Sequence, residues 1–286
     1  MYTGIITVPK ATLYEAPTKE TVSDELLSGW TVTVEQECGT FLRVVTDYDY
    51  PGWLEKGTIH KVSSDFLMRW NQTSKTTLLC PKTTDILRTP KVQAPVLSTL
   101  FMGSRVLLCD DVKATDNGWQ KIRAANGICG YVPAIALLPP VCLNSGASNP
   151  PFNDFLLQNE WAIRSEVLNY AMLFLGTQYR WGGKTAMGID CSGLTFMSYY
   201  MCGIIIYRDA KIQEGFPVHE IPFSQIKPAD LLYFPGHVAL YLGNEKYIHC
   251  TGNLKSFGCV INSLCPEDED YRADLAESLL AVGSVF

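Results

Sequence analysis

The sequence predicts a multidomain protein in which two small all-β barrels precede an α+β domain. One observation is length, because 286 residues provide two or three domains of ordinary size. Short β-branched and aromatic runs, separated by Gly, Pro, Asp and Asn, fill the chain to about residue 138, which is typical of small barrels. Apolar residues at helical spacing begin near residue 155. We therefore expect domains at residues 1–70, 71–143 and 161–286, with a linker at 144–160.

The first half of the chain contains two weakly similar copies of one pattern. In each copy a Gly opens a β-branched strand, a second strand follows, and a Gly-aromatic-aliphatic triplet closes the copy. The segments are 29–34, 41–45 and 52–54 in the first copy, and 103–108, 118–122 and 130–132 in the second. The repeat predicts two related modules, and a turn-rich stretch at 144–151 predicts the linker after them.

Two helices are expected at the start of the second half. Apolar residues between Trp161 and Phe174 recur at three- and four-residue steps, and Gly176 follows as a C-terminal stop. The next helix should begin just after Asp190, because a carboxylate caps the free N–H groups of a first turn. It should end near Gly203.

Strands are expected after these helices, at 231–234, 237–242, 246–250 and 279–286. If residues 243–245 form a three-residue hairpin loop, Leu242 pairs with Lys246 and Ala239 pairs with His249. His237 and His249 then share a face as diagonal neighbours, within reach of a hydrogen bond. A four-residue loop would place the two histidines on opposite faces, so the sequence permits this contact without requiring it.

Cys191 is the candidate nucleophile. The run Asp190-Cys191-Ser192-Gly193 places its thiol in the first turn of a helix, where unpaired N–H groups and the positive end of the helix dipole favour a thiolate. We therefore expect an activated thiol, with nearby glycines that let backbone amides approach an oxyanion. The alternative for the residue alone is a small, buried hydrophobic side chain.

A thiolate nucleophile needs a base, and the base needs a group that orients it. The chain has four histidines. His60 and His219 lie in charged, loop-like surroundings and are expected at the surface. His237 and His249 are therefore the candidates for the base and for the group that orients it.

Composition restricts the possible partners. Lys and Arg total 23 against 29 Asp and Glu, a formal net charge of −6, and no basic run is present, so nucleic acid is not an expected partner. No apolar stretch approaches the ~20 residues that span a bilayer. The ten cysteines include no Cys-x-x-Cys pair, which argues against a zinc ribbon. The scattered cysteines and the absence of a readable signal peptide favour a cytoplasmic over a secreted location. We expect a monomer.

The motifs together resemble a known family. Tyr-x-Trp-Gly-Gly at 179–183, Asp-Cys-Ser-Gly-Leu at 190–194, His-Val-Ala-Leu-Tyr-Leu-Gly at 237–243 and Tyr-Ile-His at 247–249 resemble the NlpC/P60 family of papain-like cysteine peptidases. Each N-terminal copy resembles a bacterial SH3 (SH3b) module. The resemblance implies two SH3-like barrels followed by an α+β papain-like catalytic domain. The whole chain is similar to three-domain γ-D-glutamyl-L-diamino-acid endopeptidases.

The resemblance also implies roles for individual residues. Cys191 would be the nucleophile, His237 the general base and His249 the orienting residue, with Tyr179 beside the thiolate as support for the oxyanion. Trp181 belongs to the same motif and is expected at the substrate site. The implied chemistry requires no metal and no organic cofactor.

The implied substrate is the peptidoglycan stem peptide, cut between γ-linked D-Glu and the diamino acid. Relatives of this type hold a free N-terminal L-Ala, which here implies binding of its amine by Asp209 in a pocket lined by Ser192. Buried ammonium groups need such anionic partners. Arg208, next to Asp209, is expected to bind substrate at the same site. The first barrel would add Glu20 and Tyr50; the alternatives are Glu15 or Glu25 for the acid and Tyr48 for the phenol.

The sequence departs from the family pattern at a few positions. Tyr207 stands where a Pro usually precedes Arg-Asp, and Ala229 replaces the usual Gly before Asp-Leu. Only Pro235 and Gly236 separate the strand at 231–234 from His237, and so short a loop could open the cleft to larger substrates. Two other functions stay open: a wall-peptide-binding protein without catalysis, and an acyltransferase of the same fold.

Overall fold

A computed structural model describes residues 1–71, 76–109, 118–138 and 156–286. Its contacts divide the chain into two compact units, Met1–Cys142 and Leu143–Phe286. Most of the predicted linker at 144–160 lies outside the described residues. Among the described helices, none has the length and apolar character needed to cross a membrane.

The first unit consists mainly of two antiparallel sheets, one in each predicted module. The first sheet has the order β3-β2-β6-β5-β4-β1-β7 and the second has the order β10-β9-β13-β12-β11-β8. The elements are β1 (Tyr2–Ile6), β2 (Lys10–Tyr14), β3 (Val22–Leu27), β4 (Thr31–Cys38), β5 (Phe41–Thr46), β6 (Pro51–Glu55), β7 (Ile59–Lys61), α1 (Ser64–Trp70), β8 (Thr76–Leu78), β9 (Thr83–Leu87), β10 (Val96–Phe101), β11 (Arg105–Leu108), β12 (Trp119–Arg123) and β13 (Cys129–Pro133).

The two modules repeat local geometry as well as sequence. Gly29 and Gly103 both have φ of 84° and stand just before β4 and β11, a conformation that L side chains rarely adopt. Strands β6 and β13 are each followed by one turn of 3₁₀ helix. The Trp30 indole N–H donates to the Gly103 carbonyl at 2.9 Å and joins the two modules. The β-rich character of this half is confirmed, while its assignment to SH3-like barrels stays a prediction.

The second unit is an α+β domain built on one six-stranded antiparallel sheet. Its strand order is β16-β21-β17-β18-β19-β20, with a separate β14-β15 ribbon. The elements are α2 (Glu160–Leu173), β14 (Lys184–Thr185), β15 (Gly188–Ile189), α3 (Cys191–Tyr200), β16 (His219–Ile221), β17 (Leu231–Phe234), β18 (His237–Gly243), β19 (Lys246–Thr251), β20 (Gly258–Ser263), α4 (Ala273–Ala276) and β21 (Ala281–Ser284). Both predicted helices and all four predicted strands are present, whereas β14, β15, β16, β20 and α4 were not predicted from the sequence.

The hairpin between β18 and β19 has the expected register but a different turn. Tyr241 pairs with Tyr247, and Gly243 pairs with Lys246, so the predicted pairing of Leu242 with Lys246 is wrong. The turn has two residues, Asn244 and Glu245, both with positive φ, which is the tight turn that matches strand twist. A bulge between Tyr241 and Gly243 takes up the extra residue.

A buried arginine ties α2 to the sheet. Arg164 donates to the Asp230 carboxylate at 2.8 Å and to the Pro228 carbonyl at 2.7 Å. Between these two acceptors lies Ala229, at φ of 73°. This is the position where the family resemblance expects Gly, and the alanine methyl group makes the left-handed conformation costly there. The turn before β17 is therefore held by contacts on both sides of a strained residue.

Candidate active site

Cys191 is the first residue of α3, and the preceding Asp190 caps the helix. One Asp190 oxygen accepts from the Gly193 N–H at 2.5 Å, and the other accepts from the Gly182 N–H at 2.7 Å. The cap therefore connects the Trp-Gly-Gly segment to the start of the helix. Gly193 is required at this point, because a Cβ there would lie 2.1 Å from the Gly183 carbonyl oxygen.

Arg208 lies behind the nucleophile and is 1% exposed. Its guanidinium donates to both Asp190 oxygens at 3.1–3.2 Å and to the Ser192 hydroxyl at 2.6 Å. A buried guanidinium held in this way supports the cap of the helix. Arg208 is buried and bound to Asp190 and Ser192, and its direct contact with substrate stays a prediction.

His237 and His249 are in contact, an arrangement that the sequence permitted without requiring it. His237 Nε2 and His249 Nδ1 are 2.8 Å apart, and His249 Nε2 is 2.9 Å from Asn262 Oδ1. The amide N–H of Val238, next to His237, donates to the thiol of Cys191, which places the nucleophile at the start of β18. The structure thus brings the thiol, the two imidazoles and Asn262 together, and it leaves His60 and His219 exposed, as expected.

Aromatic side chains surround the approach to the thiol. Tyr179 is partly buried, its ring packs on Gly252, and it makes an edge contact with Phe257 at 6.2 Å. Burial first, and then the charge of Cys191, raise the pKa of the Tyr179 phenol. The phenol therefore stays protonated and can donate a hydrogen bond to an oxyanion. Trp181 is 64% exposed on the same segment.

The expected amine-binding residues are placed separately in the two units. Within the second unit, the Asp209 carboxylate is partly exposed and forms a hydrogen bond with the Tyr207 hydroxyl.

Within the first unit, Glu20 is exposed and Tyr50 is partly buried. The alternatives differ in environment. Glu15 is exposed. Glu25 is buried and paired with Lys10. Tyr48 is buried, and its hydroxyl donates to Asp24 at 2.5 Å. Exposure therefore favours Glu20 or Glu15 over Glu25, and Tyr50 over Tyr48, while their contact with substrate stays a prediction.

Comparison with known proteins identifies the family of this site. The model of the NlpC/P60 family matches residues 176–262, a span that contains Cys191, His237 and His249. Dipeptidyl-peptidase 6 of Lysinibacillus sphaericus is 35% identical over 288 residues, which cover 99% of each chain. The chain belongs to the NlpC/P60 family. It is a hydrolase of the cysteine-peptidase type.

Other relatives match the catalytic part. Gamma-D-glutamyl-L-lysine dipeptidyl-peptidase of Bacillus cereus is 34% identical over 92 residues, which cover 29% of this chain and 27% of that one. The crystal structure of an NlpC/P60 family protein from Bacillus cereus covers 98% of both chains with a TM-score of 0.74 at 19% identity. This similarity shows that the chain shares the fold of that NlpC/P60 protein over nearly its whole length.

The resting charge state of this NlpC/P60 site differs from the expectation of an activated thiolate. Burial first, and then the Asp190 carboxylate, raise the pKa of the Cys191 thiol to about 11, although the Val238 N–H opposes the rise. Burial lowers the pKa of His237 to about 3 and that of His249 to about 4. The helix terminus is where the sequence placed it, but desolvation outweighs its dipole. The thiol and both imidazoles are therefore neutral at pH 7.

Alkylation of Cys191 should report this neutral state. Because the thiolate is the reactive form, inactivation by iodoacetamide without substrate should accelerate roughly tenfold per pH unit from pH 7 to pH 10. Peptide mapping should assign the modification to Cys191, with exposed Cys38 as an internal comparison. A rate for Cys191 that stays constant above pH 6 would show a preformed thiolate and contradict the prediction.

The sequence did not reveal the role of Asn262 or the ion pair between the capping residue Asp190 and Arg208. Asn262 lies on β20, where it pairs with Tyr247, and no local motif marks it. Its role follows only from the register between β19 and β20. Asp190 was identified as a cap, but its pairing with Arg208 joins positions 18 residues apart, which no spacing rule predicts.

Proposed function

We propose that this NlpC/P60 peptidase hydrolyses peptidoglycan stem peptides at the bond between γ-D-glutamate and the diamino acid. The observation that carries the proposal is the thiol of Cys191 at the start of β18, next to a 2.8 Å contact between His237 and His249. The name of the Bacillus cereus relative specifies γ-D-glutamyl-L-lysine, in which lysine is the diamino acid. This relative supports the choice of bond.

The neutral resting state defines the first chemical step. The Cys191 thiol transfers its proton to His237 as sulfur bonds to the γ-carbonyl carbon, since neither group carries the charge beforehand. In this mechanism, backbone amides at the start of α3 and the Tyr179 hydroxyl donate to the oxyanion. His237 then gives the proton to the leaving amine as the C–N bond breaks. Water, deprotonated by His237, attacks the thioester and releases the acid and the thiol.

Recognition of a free N-terminal amine by Asp209 is the second part of the proposal. The carboxylate is partly exposed, and the Tyr207 hydroxyl, which replaces the usual Pro side chain, forms a hydrogen bond with it. An ammonium group bound here would form a charge-assisted hydrogen bond.

Asp209→Asn should weaken binding of peptides with a free amine. We expect KM for L-Ala-γ-D-Glu-diaminopimelate to rise about 10- to 100-fold, the value of one hydrogen bond to a charged group, while kcat changes little. Hydrolysis of the N-acetylated peptide should be slow with both enzymes and insensitive to the substitution. Products identified by mass spectrometry also separate hydrolysis from acyl transfer to an added amine.

The matched control is Glu214→Gln, which removes an exposed acid from the same segment of the chain. Its KM should equal that of the unmodified enzyme. Equal cleavage of free, acetylated and glycan-linked peptides would exclude amine recognition and indicate an enzyme that acts on intact wall. Absence of cleavage at the γ-D-glutamyl bond in all three would exclude the proposed substrate.

A further inference from the structure

A continuous line of hydrogen bonds runs from the backbone into the active site. The Asn262 side-chain amide donates to the Asp270 carbonyl at 2.8 Å, Asn262 Oδ1 contacts His249 Nε2 at 2.9 Å, and His249 Nδ1 contacts His237 Nε2 at 2.8 Å. The same Asp270 carbonyl also accepts from the Ser263 N–H at 3.1 Å. The line therefore begins at a carbonyl that the strand itself holds in place.

The direction of each hydrogen bond follows from the first. A backbone carbonyl only accepts, so the group of Asn262 that faces Asp270 is the NH₂ and the group that faces His249 is the oxygen. The oxygen must accept from His249 Nε2–H. A neutral imidazole has one N–H, so His249 Nδ1 is an acceptor and must receive a hydrogen from His237 Nε2. His237 Nδ1 then has a free lone pair, and it is the ring nitrogen left for the thiol proton.

We propose that Asn262 is a positioning residue that fixes the tautomers of His249 and His237, so that His237 Nδ1 is the base. The inference rests on the proposed chemistry of Cys191 and His237, and it adds a fourth residue to that site. The Asn262 side chain touches neither substrate nor thiol in this scheme. It acts through two imidazoles, in the way an outer residue sets the tautomer of a catalytic histidine.

Because these groups are buried, this chain of hydrogen bonds is the main determinant of the tautomers of His249 and His237. His249 is 0% exposed and Asn262 is 7% exposed, while the Tyr247 ring lies 5.1 Å from the His249 ring. Within the described residues, the Tyr247 hydroxyl has no hydrogen-bond partner, and it contacts neither imidazole by such a bond. The nearby charges are Arg272 and Asp274.

Those two charges are joined to each other. The Arg272 guanidinium donates to both Asp274 oxygens at 2.6–2.7 Å and to Ser256 at 3.2 Å. Their opposite signs act on the imidazoles in opposite directions. Besides His237, His249 therefore has Asn262 as its hydrogen-bond partner. The Asn262 oxygen determines which ring nitrogen of His249 carries the hydrogen.

Imidazole NMR tests the tautomers without any substrate. In protein labelled with ¹⁵N-histidine, which has four histidines to assign, we expect an unprotonated Nδ1 in both His237 and His249 at pH 7. His237→Gln and His249→Gln spectra provide the assignment. A protonated Nδ1 on His237 would overturn the inference even if the enzyme cleaves its substrate. Correct tautomers without cleavage would instead contradict the proposed function alone.

The kinetics of two variants test the role of Asn262 as a positioning residue. Asn262→Leu removes the acceptor, and kcat should fall about 10- to 100-fold with KM within about threefold. Asn262→Asp retains the acceptor, so kcat should stay above that of the leucine variant. Its negative charge should also move the acid limb of the kcat/KM profile upward by about one pH unit or more.

The control is Ser284→Ala, which loses a buried hydrogen bond to Arg164 in the same sheet, away from the histidines. It should lower thermal stability without moving kcat or the acid limb. A leucine variant with unchanged kcat would overturn the inference. Equal loss in the leucine and aspartate variants, with no shift of the acid limb, would show a structural role and overturn it as well.

Discussion

Cys191→Ala is expected to lower kcat for the γ-D-glutamyl peptide by about 10⁴-fold or more while the fold is retained. In the proposed mechanism the sulfur of Cys191 forms the covalent intermediate, so its removal leaves the γ-carbonyl carbon without its nucleophile. The substitution removes one buried atom from a side chain that is 6% exposed, so the loss of packing is small. The measurements are single-turnover hydrolysis by mass spectrometry and the circular dichroism melting curve.

Cys265→Ala is the matched control for loss of a thiol. This thiol bonds Glu267 at the surface of the same unit, and its removal should leave kcat unchanged. Activity of the Cys191→Ala protein within tenfold of the unmodified enzyme would contradict the assignment of the nucleophile. Absence of γ-D-glutamyl cleavage by the unmodified protein would instead favour a role for the chain as a binder of wall peptides.

Arg208→Met is expected to cost about 3–5 kcal/mol of unfolding free energy, because it leaves the buried Asp190 carboxylate without its guanidinium partner. The same change releases the Ser192 hydroxyl from its 2.6 Å contact. Arg208 also lowers the pKa of the Cys191 thiol, so its loss should raise that pKa further and slow the attack on substrate. Urea unfolding followed by tryptophan fluorescence measures the stability.

A double variant distinguishes the effect of the unpaired Asp190 charge from the effect of the lost Arg208 side chain on stability. Arg208→Met combined with Asp190→Asn removes the unpaired charge but keeps a capping side chain, so it should recover part of the lost stability. Lys19→Met, which breaks an exposed ion pair with Glu55, should have a far smaller effect than Arg208→Met. Equal unfolding midpoints for the Arg208 and Lys19 variants would contradict the buried pairing.

The sequence predicted those parts of the site that local rules govern. Asp190 before Cys191 predicts a helix start because a carboxylate caps free N–H groups, and α3 begins there. The alternation of side chains along β18 and β19 permitted a shared face for His237 and His249, on condition of a three-residue loop, without requiring it. The predicted turn length was wrong, but the strand register was still correct, because the bulge restores the pairing of Tyr241 with Tyr247.

Other parts depend on contacts between distant segments or on desolvation. The guanidinium of Arg208 reaches Asp190 only after the chain folds back on α3, and Asn262 reaches His249 only through the β19–β20 register. The pKa of Cys191 was misjudged for the same reason. A dipole can be assigned from helix position, whereas burial and a neighbouring carboxylate require the packed structure.

The bulge near the end of β18 separates the length of the turn from the position of the histidines. Tyr241 pairs with Tyr247 on the catalytic side of the irregularity, and the turn at Asn244 and Glu245 lies beyond it. A residue inserted or deleted at the turn can be absorbed where the ladder is already interrupted, whereas in an uninterrupted hairpin it would shift every pairing by one. A change of one residue in the length of this turn is therefore expected to be absorbed at the bulge, while His237 and His249 keep their alignment.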